Sequence, residues 1–120
     1  DLRFPELYRQ LVGRGAEIFL APAAFRKTTG QDHWEVLLRA RAIENQAYII
    51  AANQCGTHVP KIVTYGHSMI IDAWGNILTR ADSKKSVIFA EIDLNALHKV
   101  RGQLPAFKHR RDFSPANRKN

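Results

Sequence analysis

Residues 32–53, DHWEVLLRARAIENQAYIIAAN, pass from a helical pattern directly into an apolar strand pattern. The segment Asp32–Ala47 has the pattern of a helix, and Trp34 and Leu38 mark one of its apolar faces. A second apolar face is present, so we expect this helix to be covered on two sides. Tyr48–Asn53 has almost no polar interruption, which is typical of a buried strand. A helix that runs into a buried strand indicates an α/β fold.

Charged residues along this helix suggest how it begins and what it pairs with. Asp32 followed by Glu35 resembles a capping box, and Glu35 and Arg39 have the spacing of an i,i+4 ion pair. Arg41 and Glu44 stand at i,i+3, so we expect an internal ion pair there. That pairing would occupy Glu44, which could otherwise be mistaken for a general base.

The rest of the chain continues the alternation. Upstream, the patterns predict a short helix from Pro5 towards Gly13, a buried strand over Ala16–Pro22 and a polar loop over 26–31. Downstream, they predict a loop over 54–65, strands over 68–73, 77–80 and 86–92, a turn at Trp74-Gly75-Asn76, and a helix over 94–101 capped by Asp93. This order predicts a sheet with helices packed on one face.

Length and composition limit the class of protein. With 120 residues, 45% of them hydrophobic and 24% charged, the chain has the composition of one ordinary globular domain. Its single cysteine, Cys55, allows no disulfide within the chain, which favours a reducing, cytoplasmic location. No apolar run approaches the roughly 18 residues that a membrane helix needs.

The charge is strongly positive but unevenly placed. Of the formal net charge of +7, residues 106–120 carry +4, which leaves +3 for the rest of the chain. Such a basic terminus is more typical of a solvated or partner-contacting tail than of a nucleic-acid interface. We therefore expect neither a nucleic-acid nor a membrane partner, and assign residues 114–120 to a flexible basic tail.

Several polar side chains resemble catalytic groups without forming a recognisable motif. Cys55 lies near His58 and His67 in sequence, but a lone cysteine at the end of an apolar strand is commonly a buried hydrophobe. Ser68 and His67 have no acidic partner at a triad spacing. The five histidines include no H-x-x-x-H pair, so no zinc site is predicted.

Arg3, Phe25 and Thr29 are the candidate substrate-binding residues. Arg3 stands just before the first helix, where its guanidinium could hold a substrate carboxylate or pair with Glu6. Phe25 and Thr29 follow the first strand, where open α/β sheets place ligand contacts. A loop anchor and a helix-approach cap are the alternatives for these two residues.

Five sequence blocks carry more specific information: DLRFPELY (1–8), PAAF (22–25), TTGQDHWEVLLRARAIENQ (28–46), YGHSMIIDAWGNIL (65–78) and LPAFKHRR (104–111). In this order they closely resemble the second half of a nitrilase-superfamily carbon-nitrogen hydrolase. The resemblance implies that residues 1–113 supply about half of a four-layer α-β-β-α sandwich, as its C-terminal portion. A Cys-Tyr pair precedes Asp-x-Arg-Phe in that family, which would place the nucleophile two residues before Asp1.

The resemblance also implies a function. It is strongest to the branch of amidases that act on deaminated glutathione, and omega-amidases that hydrolyse alpha-ketoglutaramate are the alternative. These enzymes use Glu, Lys and Cys without a metal or organic cofactor and usually form oligomers. None of the three catalytic residues is identifiable here, so we expect the chain alone to be inactive and Arg3, Phe25 and Thr29 to line the substrate pocket. A noncatalytic oligomerisation or binding module is the alternative of another class.

Overall fold

Helices and strands alternate in the computed structural model, which describes residues 1–111. The helices are α1 (Pro5–Gly13), α2 (Lys27–Asn45), α3 (Leu94–Gln103) and α4 (Ala106–His109). The strands are β1 (Ile18–Leu20), β2 (Tyr48–Ala51), β3 (Cys55–His58), β4 (Ile62–Tyr65), β5 (Met69–Ile71) and β6 (Ile77–Arg80). The predicted tail over 114–120 and the predicted domain end at 113 lie outside the described residues.

A four-stranded sheet in the order β1-β2-β5-β6 organises the chain. β1 and β2 are parallel and are joined through α2, because parallel neighbours need a crossover connection. β5 pairs antiparallel with β2 and with β6, so Ile49 lies between Phe19 and Ile71 in the middle of the sheet. The turn between β5 and β6 contains Gly75 at φ 89°, which confirms the predicted hairpin.

The main core lies between this sheet and helices α1 and α2. Trp34, Leu38 and Ala42 of α2 are completely buried. They form one cluster with buried side chains of the strands and of α1, namely Tyr8, Phe19, Ile49, Ala51, Met69 and Ile71. The alternation of inward and outward residues along the strands therefore places one face of the sheet against both helices.

The opposite face of the sheet is only partly covered. Tyr48 is buried there together with Ala73 and Leu97, and Leu97 belongs to α3. Leu20 remains 73% exposed. The prediction that all helices pack on one face is therefore wrong for α3, because the side chain of Tyr48 points away from α2 and provides a second apolar contact.

Helix α2 begins at Lys27, five residues before the predicted start, and Asp32 lies inside it. Asp32 is therefore not the cap. Glu35 pairs with Arg80, whereas Arg39 donates to the carbonyl of Gly75 at 2.9 Å, so the predicted pairing of these two residues is wrong. The side chains meet tertiary partners that local spacing does not reveal. Asp93, by contrast, caps α3 as predicted.

Three further segments differ from the predictions. The predicted loop over 54–65 contains the antiparallel hairpin of β3 and β4. The predicted strand over 86–92 is not formed, and Val87 and Phe89 are 77% and 83% exposed. Its apolar run over 87–90 is typical of a strand, but no described strand pairs with it, and a strand needs a hydrogen-bonded neighbour. The short helix α4 was not predicted.

Gly30 allows the first turn of α2 to pack on the hairpin. A Cβ atom there would lie 2.6 Å from Cβ and Cγ of Tyr65. We expect Gly30→Ala to cost about 1–3 kcal/mol through overpacking, which exceeds the roughly 1 kcal/mol gained by replacing a helical glycine. Gly102→Ala in α3 is the control, because nothing lies within 4 Å of its Cβ. Urea unfolding should show loss for the first and none for the second; equal stabilities would contradict this packing.

Candidate functional site

The segment before α1 is fixed by contacts with α2. Leu2 is buried, and its carbonyl accepts a hydrogen bond of 3.0 Å from Nε of buried Arg41. Arg41 also pairs with Glu44 at 3.0 Å, which confirms the predicted ion pair. Burial raises the pKa of nearby Tyr8, and the charge of Arg41 partly opposes that shift. These contacts hold the backbone on which Arg3 projects.

Arg3 contacts an aromatic ring and an imidazole. Its guanidinium carbon lies 5.0 Å from the centre of the Phe25 ring, within cation–π range. Its two terminal nitrogens lie 3.3 and 3.4 Å from Nδ1 of His33. None of the ion pairs among residues 1–111 includes Arg3. The alternative pairing with Glu6 is thus not formed, and the exposed guanidinium faces no carboxylate of the described chain.

Phe25 is held in the loop after β1 by Asn53 and Trp34. Its backbone N–H donates to Oδ1 of Asn53 at 2.7 Å, and its ring packs on Trp34 with centres 5.2 Å apart. The indole N–H of Trp34 donates in turn to the carbonyl of His67 at 2.8 Å. Arg3, Phe25 and Trp34 therefore form a stack that connects the surface to the core.

Thr29 lies in the first turn of α2 and is half-buried. It stands one helical turn before His33, so the two side chains share a face of the helix. Within residues 1–111 its hydroxyl forms no side-chain hydrogen bond. Of the three predicted residues, the structure brings Arg3 and Phe25 into contact and places Thr29 in α2, one turn before His33.

His33 also belongs to this cluster through its contact with Arg3, although no sequence motif singles it out. The helix spacing of Thr29 and His33 is the signal that could have identified it, but that signal requires a helix that starts at Lys27. Trp34, its neighbour in sequence, is a packing residue as predicted.

Cys55 and two histidines line an open cleft of about 450 Å³, but they form no catalytic pair. Nε2 of His58 bonds to the hydroxyl of Thr64 at 2.9 Å. Nδ1 of His67 lies 2.6 Å from the carbonyl oxygen of Tyr65. The imidazole ring of His67 also stacks on the ring of Tyr65. Neither imidazole hydrogen bonds to the thiol in the part of the chain described here, which agrees with a structural role for Cys55.

Other kinds of site find no support in residues 1–111. No group of three or more His, Cys, Asp or Glu side chains in that range could hold a metal ion. No described helix is long and apolar enough to cross a bilayer. The exposed guanidinium of Arg3, stacked on Phe25 and facing no carboxylate of the described chain, makes this stack the candidate for ligand recognition.

Known proteins resemble this chain in sequence and in fold. The chain is 55% identical over 111 residues to a deaminated glutathione amidase of Bos taurus, a match covering 92% of the chain and 34% of the relative. It is 53% identical to a deaminated glutathione amidase of Synechocystis, covering 92% of the chain and 40% of the relative. The crystal structure of the Caenorhabditis elegans NitFhit protein matches with a TM-score of 0.90 and 50% identity, covering 92% of the chain and 27% of that protein.

The extent of these matches corrects one expectation. The chain spans about a third of the length of the animal relative, so the prediction that it supplies the C-terminal half of such a protein is wrong. The mixed α/β class is confirmed. The family description "Carbon-nitrogen hydrolase" matches residues 1–102, which include the whole Arg3 stack. The chain therefore belongs to the carbon-nitrogen hydrolase family of the nitrilase superfamily.

Proposed function

We propose that this chain supplies the carboxylate-recognition wall of an amidase that hydrolyses a small oxo-acid amide of the deaminated glutathione type. The observation that carries the proposal is the exposed guanidinium of Arg3, held on Phe25 and facing no acid of the described chain. A planar guanidinium can bind both oxygens of a carboxylate through parallel N–H donors. An oxo-acid amide offers such a carboxylate at a fixed distance from the amide carbon.

The electrostatics of the neighbouring helix support an anionic substrate. The first turn of α2 contains no acidic residue, and no side chain caps its N–H groups. The N-terminus of a helix carries partial positive charge. Thr29 in that turn offers a hydroxyl that could bind the keto oxygen or the amide. The guanidinium, the aromatic wall and the hydroxyl donor together fit a short acyl chain with polar ends.

The bond-breaking groups belong, in this proposal, to the part of the enzyme that the chain does not cover. A Cys thiolate attacks the amide carbon, a Lys stabilises the oxyanion, and a Glu transfers the proton that lets the amine product leave. Water then hydrolyses the thioester to the carboxylic acid and restores the thiol. Cys55 is half-buried in β3 without an imidazole partner, so it is unsuited to that attack.

The names of the relatives favour deaminated glutathione as the substrate over alpha-ketoglutaramate, which is the alternative. We further propose that the complete enzyme is an oligomer in a reducing, cytoplasmic environment, which suits the single free cysteine. Sedimentation of the complete protein tests the oligomer.

Release of the amine product tests the function. We expect the complete enzyme that contains this region to release cysteinylglycine from deaminated glutathione, and the 120-residue chain alone to release none because, in this proposal, the nucleophile lies outside it. Cys55→Ser in the complete enzyme should leave the rate unchanged. Hydrolysis by the chain alone, or loss of activity in Cys55→Ser, would contradict the proposal. A folded complete protein without amidase activity would favour a noncatalytic module.

A further inference from the structure

We propose that His33 is a positioning residue that fixes the direction in which Arg3 presents its N–H donors. The proposal rests on the function given above, because it assigns to Arg3 the binding of the substrate carboxylate. His33 itself need not touch the substrate. It acts through the guanidinium of Arg3, which could otherwise rotate within its own plane on the Phe25 ring.

Two contacts restrain the guanidinium in different ways. The Phe25 ring, 5.0 Å from the guanidinium carbon, supports its face. Nδ1 of His33 lies 3.3 Å from one terminal nitrogen and 3.4 Å from the other, so it accepts between them. A face contact alone permits rotation within the plane, and the second contact removes that freedom.

This geometry selects the edge of Arg3 that remains for a ligand. A guanidinium has five N–H donors in a fixed fork. Because His33 faces the edge between the two terminal nitrogens, the edge formed by Nε and one terminal nitrogen remains. No described residue accepts a hydrogen bond from Nε of Arg3. The carboxylate would therefore bind side-on through that edge.

The contact also defines the chemical state of His33. A guanidinium can only donate, so the proposal requires Nδ1 to accept through its lone pair and the imidazole to carry its proton on Nε2. The backbone beneath it is fixed, since the next residue, Trp34, is completely buried and donates to the carbonyl of His67 at 2.8 Å. An acceptor on a rigid helix is suited to orienting a mobile cation.

Substitutions at His33 in the complete enzyme separate positioning from a structural role. We expect His33→Ala and His33→Phe to raise KM for deaminated glutathione about fivefold to tenfold, the effect of one lost hydrogen bond. The kcat should change little. His33→Asn should restore KM, because its Oδ1 occupies nearly the place of Nδ1, whereas His33→Gln should not. His33 is exposed, so thermal unfolding should stay the same in all four variants.

The outcomes distinguish this inference from the proposed function. If Arg3→Ala leaves KM unchanged, the proposed function fails. If Arg3→Ala raises KM but His33→Ala and His33→Phe do not, or if His33→Asn is as impaired as His33→Ala, only the positioning role is overturned. Imidazole ¹⁵N spectra add a measurement independent of activity: an unprotonated Nδ1 supports the inference, and a protonated Nδ1 contradicts it.

Discussion

Trp34→Ala is expected to destabilise the fold by about 3–5 kcal/mol, the range for removing a large buried aromatic side chain. Trp34 has no exposed surface and lies in the main core. Its loss would leave a cavity between α2 and the sheet and would also remove the indole donor from the carbonyl of His67. Since small domains have about 5–15 kcal/mol of stability in total, we expect a large shift of the urea midpoint.

Trp34→Phe is the matched control for this variant. It keeps an aromatic ring in the core beneath Phe25 but removes the N–H donor, so its loss should be clearly smaller than that of Trp34→Ala. Equal midpoints for wild type and Trp34→Ala would contradict the assignment of this residue to the core. Equal, large losses for both variants would show that the hydrogen bond to His67, and not packing, dominates.

Arg3→Ala is expected to lower kcat/KM of the complete enzyme about tenfold to a hundredfold. Hydrogen bonds to charged groups contribute about 1.5–3 kcal/mol, and each 1.4 kcal/mol corresponds to a factor of about ten. The side chain is exposed, so stability should be unaffected. Arg3→Lys should be intermediate, because lysine keeps the charge but loses the planar fork and the stacking on Phe25. Steady-state kinetics with deaminated glutathione measures both variants.

Unchanged kinetics in Arg3→Ala would remove this residue from the site. A loss of stability in the same variant would instead indicate that Arg3 supports the fold through Phe25. Measuring unfolding alongside kinetics therefore separates the two roles.

Local sequence patterns predicted the fold where the contacts that decide it are local. The apolar run at 48–53, the turn at Gly75 and the cap at Asp93 are each specified by neighbouring residues, and all three were found. The start of α2 was misplaced because the polar segment 26–31 was assigned to a loop, whereas residues from Lys27 onward are helical and Gly30 packs on Tyr65 of a distant strand. The segment 86–92 was misassigned because a strand pattern does not supply the pairing partner.

In the candidate site, too, contacts between residues far apart in sequence were not predicted. Arg3, Phe25 and Thr29 were selected chiefly through the family resemblance, and the structure brings the first two into contact. His33 was missed because it is separated from Arg3 by thirty residues. Only the crossover that packs α2 beside the segment before α1 brings them together.

The central claim is that this region recognises the carboxylate of an oxo-acid amide through Arg3. It is tested most directly by comparing the complete enzyme and its Arg3→Ala variant on two substrates, the free oxo-acid amide and the methyl ester of its 2-oxo carboxylate. The account predicts that the variant loses about tenfold to a hundredfold in kcat/KM on the free acid and differs little from wild type on the ester. Equal losses on both substrates, or no loss on either, would contradict it.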